Sequence, residues 1–458
     1  MTNCILRSLL VVTILLAVSA LPASLRAERV DAYDFPFVDP LVATVVATPR
    51  ANRVELPEFE EGREVASFRV QPLADRRAPP VFFFERFGAQ FGLAAQDGPA
   101  PLVFVIAGTG GSWQADISWN LANLLWDAGN HVLMLPNQTH ANFVVNASTT
   151  GVPGRLRDDA VDMHRLMRAA LARVQSRIEV TEVHLTGYSL GATLAAFVAK
   201  LDSDRQASGE TAFDFERVLL LNPSVSLYTS IQLVDDMLDR FVEVDPNAVP
   251  EFLDRAFAAF AEIYVQGAPT DFAGDFVYRI YTALEPDAVD LEKLVGIAFR
   301  LSAVNLAFAA DVMSESGFLM PAGTELRATD RRLSDIYRDA RTRSFVDYFE
   351  GLYQPFFRRI EPGLTAEQMI EDASLRSIED YLASAEHVGF LGSEDDVILV
   401  AEDWRFLDRV FEDRSTVYPT GGHCGHYLQR DVAARIVDYF ATGWQPETAT
   451  TAARGDGT

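Results

Sequence analysis

Cysteine is almost missing from this chain. Among 458 residues only Cys4 and Cys424 occur. Cys4 lies within an N-terminal targeting segment, so removal of that segment leaves one thiol and no intramolecular disulfide. The fold must stand on its core, for which 49% apolar composition is ample. Positive charge is also scarce, with 39 Lys and Arg against 65 Asp and Glu, a formal net charge of −26. No long basic run interrupts the acidity, which makes nucleic acid and anionic membrane surfaces poor partners. His423, Cys424 and His426 have no second Cys or His cluster to complete four metal ligands. The glycines from Gly108 to Gly111 meet Trp113 where a dinucleotide fingerprint needs another glycine, and no Walker A lysine follows. Neither a metal nor an organic cofactor is expected.

What is present begins with Arg7 and the apolar stretch Ser8 to Ala20, too short to span a bilayer comfortably and followed by small residues at Ala20, Ala23 and Ala27. This pattern predicts a cleaved signal peptide over 1–27 and an exported protein, periplasmic or extracellular, with no stable membrane span after cleavage. Because Cys4 precedes the apolar stretch instead of following it, the segment lacks a lipoprotein pattern. Asn137-Gln138-Thr139 and Asn146-Ala147-Ser148 match the N-glycosylation acceptor pattern.

Two β-rich runs, Val65 to Gln71 and Val81 to Phe87, flank Pro79-Pro80 and predict an antiparallel hairpin at a sheet edge. From Leu102 to Ala107 onward, continuous apolar runs alternate with helical periodicity. His131 to Leu135, Glu182 to Thr186 and Arg217 to Leu221 read as strands, separated by helices at Ile117 to Ala128, Arg155 to Gln175 and Leu190 to Leu201. Repeated β-α-β units predict a mostly parallel sheet covered by helices on both faces. The alternation stops at Asn222-Pro223 and resumes at His387 to Leu391, followed by a helix at Ala401 to Phe411, a strand at Ser415 to Tyr418 and a helix from Tyr427 to Ala441. The intervening block is helical by period. The chain thus divides into a core over 28–223 and 387–444, a helical cap over 224–386 and a polar tail over 445–458.

Gly187-Tyr188-Ser189-Leu190-Gly191 is a G-x-S-x-G pentapeptide placed between a strand-like run and an Ala-rich helix, the setting a nucleophile elbow requires. A serine hydroxyl needs a neighbouring base. Of the seven histidines, His423 on a loop after a short β-run is the preferred candidate, and His426 is placed at the start of the last helix, where it caps or packs. The imidazole in turn needs an orienting acid, and Asp395 and Asp396, at a strand end, are both candidates; Glu394 comes next. The N–H groups of Leu190 and Thr109 are the candidate oxyanion donors.

Taken together, Gly108-Thr109-Gly110-Gly111, the elbow, the Asp395-Asp396 loop and Gly421-Gly422-His423 resemble, in that order, the α/β-hydrolase superfamily. Ala107 departs from the histidine that many members carry before the glycine. The resemblance covers about 65–222 and 387–441 and implies an α/β-hydrolase fold with an inserted helical cap, an acyl-enzyme mechanism and a small-molecule ester as substrate. Amide, peptide and thioester hydrolysis, acyl transfer, or a silent ligand-binding protein of the same fold are the alternatives. Phe252, Phe257, Phe260, Tyr264, Phe276, Tyr278, Tyr281, Phe299 and Phe308 give the cap aromatic stripes, from which an apolar, medium-chain or aromatic acyl group is expected.

Overall fold

The computed structural model describes residues 27–244, 251 and 287–443. Nearly all of the expected signal segment, the tail, and seven of the nine cap aromatics (Phe252 to Tyr281) lie outside them. Among the described residues, nine strands form one sheet: β1 (Glu28–Arg29), β2 (Val65–Val70), β3 (Ala89–Ala94), β4 (Ala100–Ile106), β5 (His131–Leu135), β6 (Val180–Tyr188), β7 (Arg217–Leu221), β8 (Val388–Ser393) and β9 (Ser415–Tyr418). Their order is β1-β9-β8-β7-β6-β4-β5-β3-β2. Only β3 runs against its neighbours, β2 and β5; every other pairing is parallel.

The central strands read as unbroken apolar runs because helices cover both of their faces. Every residue of β5 and β8 is buried. On one side Met163, Leu166, Ala195, Phe406 and Val410 bring the helices Leu156–Val174, Leu190–Ala207 and Ala401–Phe411 onto the sheet. On the other, Leu121, Leu125, Ile436 and Phe440 do the same for Asp116–Asp127 and Arg430–Thr442. The last of these begins at Arg430, later than expected, because the Gln429 side chain accepts from the N–H groups of Asp431 and Val432 and caps it there.

The hairpin at the sheet edge differs from expectation. Val65 to Val70 does pair antiparallel, but its partner is Ala89–Ala94, with Val65 opposite Ala94 and Val70 opposite Ala89. The run Val81 to Phe87 instead forms a turn that opens with a 3₁₀ helix at Pro80–Phe82. Pro79 and Pro80 fix φ and lack the N–H a ladder requires, so a segment rich in phenylalanine is excluded from the sheet despite its β propensity.

Between β7 and β8 the described cap includes the helices Leu227–Val244 and Ala288–Ser314. With Phe345–Tyr348, Phe349–Tyr353 and Gln354–Ile360, the long helix shares an apolar cluster that includes Ala303, Leu306, Phe345, Tyr348 and Leu352. Among the described residues, one helix is long and apolar enough to cross a membrane, Val289–Ser314, and 61% of its most apolar window is buried within the protein. The end of the inserted block belongs with the sheet: Leu375, Ile378 and Leu382 join the core beneath Phe390 and Val388. Ahead of β2, the helix Pro40–Val46 packs Leu41, Val42 and Val46 against Met237, Leu291 and Val295 of the cap.

Candidate active site

The β6 strand ends at Tyr188, and the chain reverses at once into the helix Leu190–Ala207. Ser189 occupies the turn with φ 55° and ψ −131°, a sparsely populated conformation that holds the side chain clear of both elements. The flanking glycines are there for close approach. A Cβ on Gly187 would strike the Gly191 carbonyl, and one on Gly191 would strike the carbonyls of Ile106 and Ala107 on β4. Strand and helix can converge on the serine only with both side chains missing.

Ser189 Oγ lies 2.8 Å from His423 Nε2, and His423 Nδ1 lies 3.0 and 3.1 Å from the two carboxylate oxygens of Asp396. All three residues are buried, Asp396 4% exposed and the other two 7%. An ionised carboxylate only accepts, so the Nδ1 proton points to Asp396 and the Nε2 lone pair faces the serine hydroxyl. Burial alone would push the His423 pKa down; the Asp396 carboxylate overrides it and holds the imidazole well above its ordinary value.

Of the two aspartates left open by the sequence, the structure brings only Asp396 to His423. Asp395, one residue earlier, turns the other way, and its oxygens accept from the N–H groups of Gly422 (2.8 Å) and Gly421 (3.2 Å). Its carboxyl is pushed up by burial, partly offset by those two N–H groups. Asp395 therefore shapes the loop that carries His423 and does not touch the imidazole. Glu394 is on the surface, paired with Arg29. His426 precedes the last helix and is fully buried, with Nδ1 3.1 Å from the Tyr33 hydroxyl. Burial holds its pKa down to about 4; it packs, as expected, and has no contact with Ser189.

Asp396 is itself tied down by residues that no motif marks. Asn222 Nδ2 donates to Asp396 Oδ2 at 2.8 Å, Tyr427 Oη donates to Asn222 Oδ1 at 2.9 Å, and the Ile398 N–H donates to Asp396 Oδ1 at 3.1 Å. The end of the β7 run was legible as Asn222-Pro223, but its reach to a carboxylate 174 positions away follows only from the pairing of β7 with β8. The His423 loop is held from a third side by the N-terminal helix. The His423 N–H donates to Thr44 Oγ1 at 2.8 Å, Thr44 Oγ1 donates to the Pro40 carbonyl at 2.6 Å, and Ser393 Oγ donates to the Gly422 carbonyl at 2.6 Å. Because the same helix packs on the cap, it links cap and imidazole loop.

Thr109 and Leu190 border one cavity together with Ser189. Leu190 is the first residue of its helix, where N–H groups have no intrahelical partner. The Gly108–Gly111 turn is braced from β5: Asn137 Nδ2 donates to the Ala107 carbonyl at 2.7 Å, and the Gly110 N–H donates to Thr139 Oγ1 at 2.8 Å. Asn137 and Asn146, the two glycosylation-pattern asparagines, are buried. In the folded chain neither is open to a glycan.

This arrangement, a strained serine between a parallel strand and a helix with acid and histidine following in chain order on later strand ends, decides the architecture. The fold is that of the α/β-hydrolases. No protein-family model and no curated protein matches the chain. Among solved structures, this chain is similar to esterase B from Lactobacillus rhamnosis, at 14% identity over 84% of this chain and 87% of that one, with a TM-score of 0.35. A proline iminopeptidase from Mycobacterium smegmatis matches at 16% identity over 81% and 98% of the two chains, with a TM-score of 0.35. A thioesterase domain from the curacin biosynthetic pathway matches at 14% identity over 78% and 96%, with a TM-score of 0.32. Likenesses this remote leave the chemistry to be argued from the site.

The cavity above Ser189 encloses about 810 Å³ of space between atoms, its open mouth included. Among the described residues its wall is apolar and aromatic, with hydroxyls from Thr109, Thr139, Ser224 and Ser230 and no charged side chain. Among the described residues, most of its rings lie outside the cap stripes named from the sequence. Phe299 lines the cavity, whereas Phe308 is packed against Phe82 and Tyr337. Tyr228, Phe345, Tyr348, Phe349 and Tyr353 supply the rest. Tyr228 comes from the helix Leu227–Val244, and the other four from the contiguous helical run that begins at Phe345.

Proposed function

We propose that the protein is a serine hydrolase that cleaves carboxylic esters with an apolar acyl group through an acyl-enzyme. The observation that carries this reading is the unbroken hydrogen-bond line from Ser189 Oγ, which borders a largely apolar cavity, through His423 to Asp396. Ser189 attacks the ester carbonyl while His423 Nε2 takes its proton, and Asp396 stabilises the imidazolium and fixes its tautomer. The N–H groups of Thr109 and Leu190 receive the oxyanion. His423 returns the proton to the departing alkoxide, and the cycle repeats with water to release the acid. The apolar and aromatic side chains that line the described wall favour an apolar acyl group. The short basic and apolar segment at 7–20 supports export.

The test is a series of p-nitrophenyl esters from acetate upward, kept below micelle-forming concentrations. Each buried methylene is worth about 0.8 kcal/mol, so kcat/KM is expected to climb roughly three- to fourfold per carbon until the pocket is full. A preference for acetate that declines with every carbon would defeat the assignment of an apolar acyl site. Running the same series with added alcohol separates hydrolysis from acyl transfer, since hydrolysis predicts free acid as the main product.

The pH dependence follows from the imidazole. His423 accepts a proton only when neutral, and the Asp396 carboxylate holds its pKa well above the ordinary imidazole value of 6.5. Turnover should therefore rise with pH, with its half-point on the alkaline side of that value. A half-point at or below it, with chemistry rate-limiting, would contradict the tight His423–Asp396 pair as the working state.

A further inference from the structure

The turn that failed to join the hairpin carries the exposed phenylalanines of the described residues: Phe83 is 41% exposed, Phe84 71% and Phe87 58%. Monomeric proteins rarely leave several large rings together in water without a use for them. The base of the turn is fixed. The Phe82 ring packs on Phe308 with centroids 5.6 Å apart, the Glu85 N–H donates to the Phe82 carbonyl at 2.9 Å, and the Gly88 N–H donates to the Glu85 carbonyl at 3.2 Å. The Glu85 carboxylate is turned inward onto Asn142 Nδ2. What the turn presents outward is therefore aromatic and cationic.

Arg86 and Arg69 place their guanidinium carbons 4.5 and 5.9 Å from the Phe87 ring centroid, and Arg77 donates only to the backbone carbonyls of Ala74 and Arg76. Over residues 69–87 four arginines stand against Asp75 and Glu85, and with Arg76 turned onto the Ser148 and Thr149 carbonyls the exposed ones are Arg69, Arg77 and Arg86, a local excess of positive charge in a chain of net charge −26. Charges more than about 8 Å away are largely screened at physiological salt, so this local excess, and not the whole-chain charge, faces whatever approaches the rings. Amphipathic surfaces of arginine and exposed aromatic rings suit the boundary between lipid headgroups and acyl chains.

We propose that the turn at 79–88 is a phospholipid-surface contact, in which Phe83, Phe84 and Phe87 enter the headgroup–acyl boundary while Arg69, Arg77 and Arg86 meet lipid phosphates. Docking there would hold an enzyme with an apolar acyl cavity at the surface where apolar esters partition. The contact itself stands on the turn alone and does not depend on the proposed activity.

The experiment is co-sedimentation of the full chain with phosphatidylcholine vesicles, with and without about a quarter phosphatidylglycerol, alongside melting curves and light scattering. Wild type is expected to bind both, more tightly with the anionic lipid and less tightly at high salt. Phe83→Ser with Phe84→Ser should weaken binding by roughly tenfold per ring without lowering the melting temperature. Arg77→Gln with Arg86→Gln should remove the preference for the anionic vesicle. If the double phenylalanine variant is less stable, Phe84→Ser alone decides, since Phe84 is the most exposed ring. No binding by wild type, undiminished binding by the phenylalanine variants, or a dimer that those variants dissolve in place of vesicle binding would each overturn the proposal.

Discussion

Ser189→Ala is expected to abolish covalent labelling by a fluorophosphonate and to lower kcat by about four to six orders of magnitude, with little change in melting temperature. The size of the effect follows from how the site is built. His423 Nε2 has the serine oxygen 2.8 Å away, so removing that oxygen removes the nucleophile while the backbone turn that positions it stays. Alanine at φ 55° carries the same steric cost that serine already bears, which is why stability should hardly move. Residual turnover would come from Thr109, Leu190 and the cavity acting on a water molecule. Labelling of a folded Ser189→Ala protein would remove Ser189 from the role of nucleophile.

Asp396→Asn should be nearly as severe, with kcat down by about 10⁴, because every partner of this carboxylate is a donor. Asn222 Nδ2, the Ile398 N–H and His423 Nδ1 all converge on it. An asparagine has one acceptor oxygen and one donor NH₂, so that NH₂ must face a donor. If it faces Asn222, that amide must flip, and the bond from Tyr427 Oη to Asn222 Oδ1 is lost. If it faces His423, the imidazole must move its proton to Nε2, where it can no longer accept from Ser189. Asp395→Asn meets no such conflict with the imidazole. It weakens one bond to the Gly421–Gly422 backbone, a loss of about 1 kcal/mol in stability, and should leave turnover within a few-fold of wild type. Steady-state kinetics and melting curves on the two variants distinguish them, and equal losses of activity would mean that the loop geometry around Asp395 matters as much as the charge at Asp396.

Much of the architecture was legible before any coordinates. The runs LVFVIA, HVLML and RVLLL identify strands buried on both faces, and they are strands with bounds within a residue or two of those expected. The serine turn was equally plain, because G-x-S-x-G between a strand and an Ala-rich helix leaves few other conformations. The hairpin failed for a local reason: β propensity in Val81 to Phe87 competed with two prolines that cannot donate to a ladder, and the prolines won. The less conspicuous Ala89 to Ala94, with a glycine at its centre, took the place in the sheet.

Ser189 and His423 stood out by residue type and setting, since a serine flanked by glycines and a histidine on a late loop carry their chemistry in their own side chains. Asp395 and Asp396 could not be separated from sequence, because neighbouring residues at a strand end have the same composition and opposite directions, and only the backbone path of the turn assigns one to the imidazole and the other to the Gly421–Gly422 amides. Asn222, Tyr427 and Thr44 leave no such mark for a related reason: each is joined to the site's network by a hydrogen bond across 174 to 379 positions, and such a bond leaves no local period or spacing. Of the two expected cap rings among the described residues, Phe299 lines the cavity and Phe308 packs elsewhere, and the rings of Phe345 to Tyr353 join the wall without having stood out in the sequence. Local patterning determined which segments are strands, which are helices and which turn is strained, because those depend on neighbours within a few residues. The partner of each polar side chain and the face each aromatic ring presents were decided only when the sheet brought distant strand ends together and the cap closed over them.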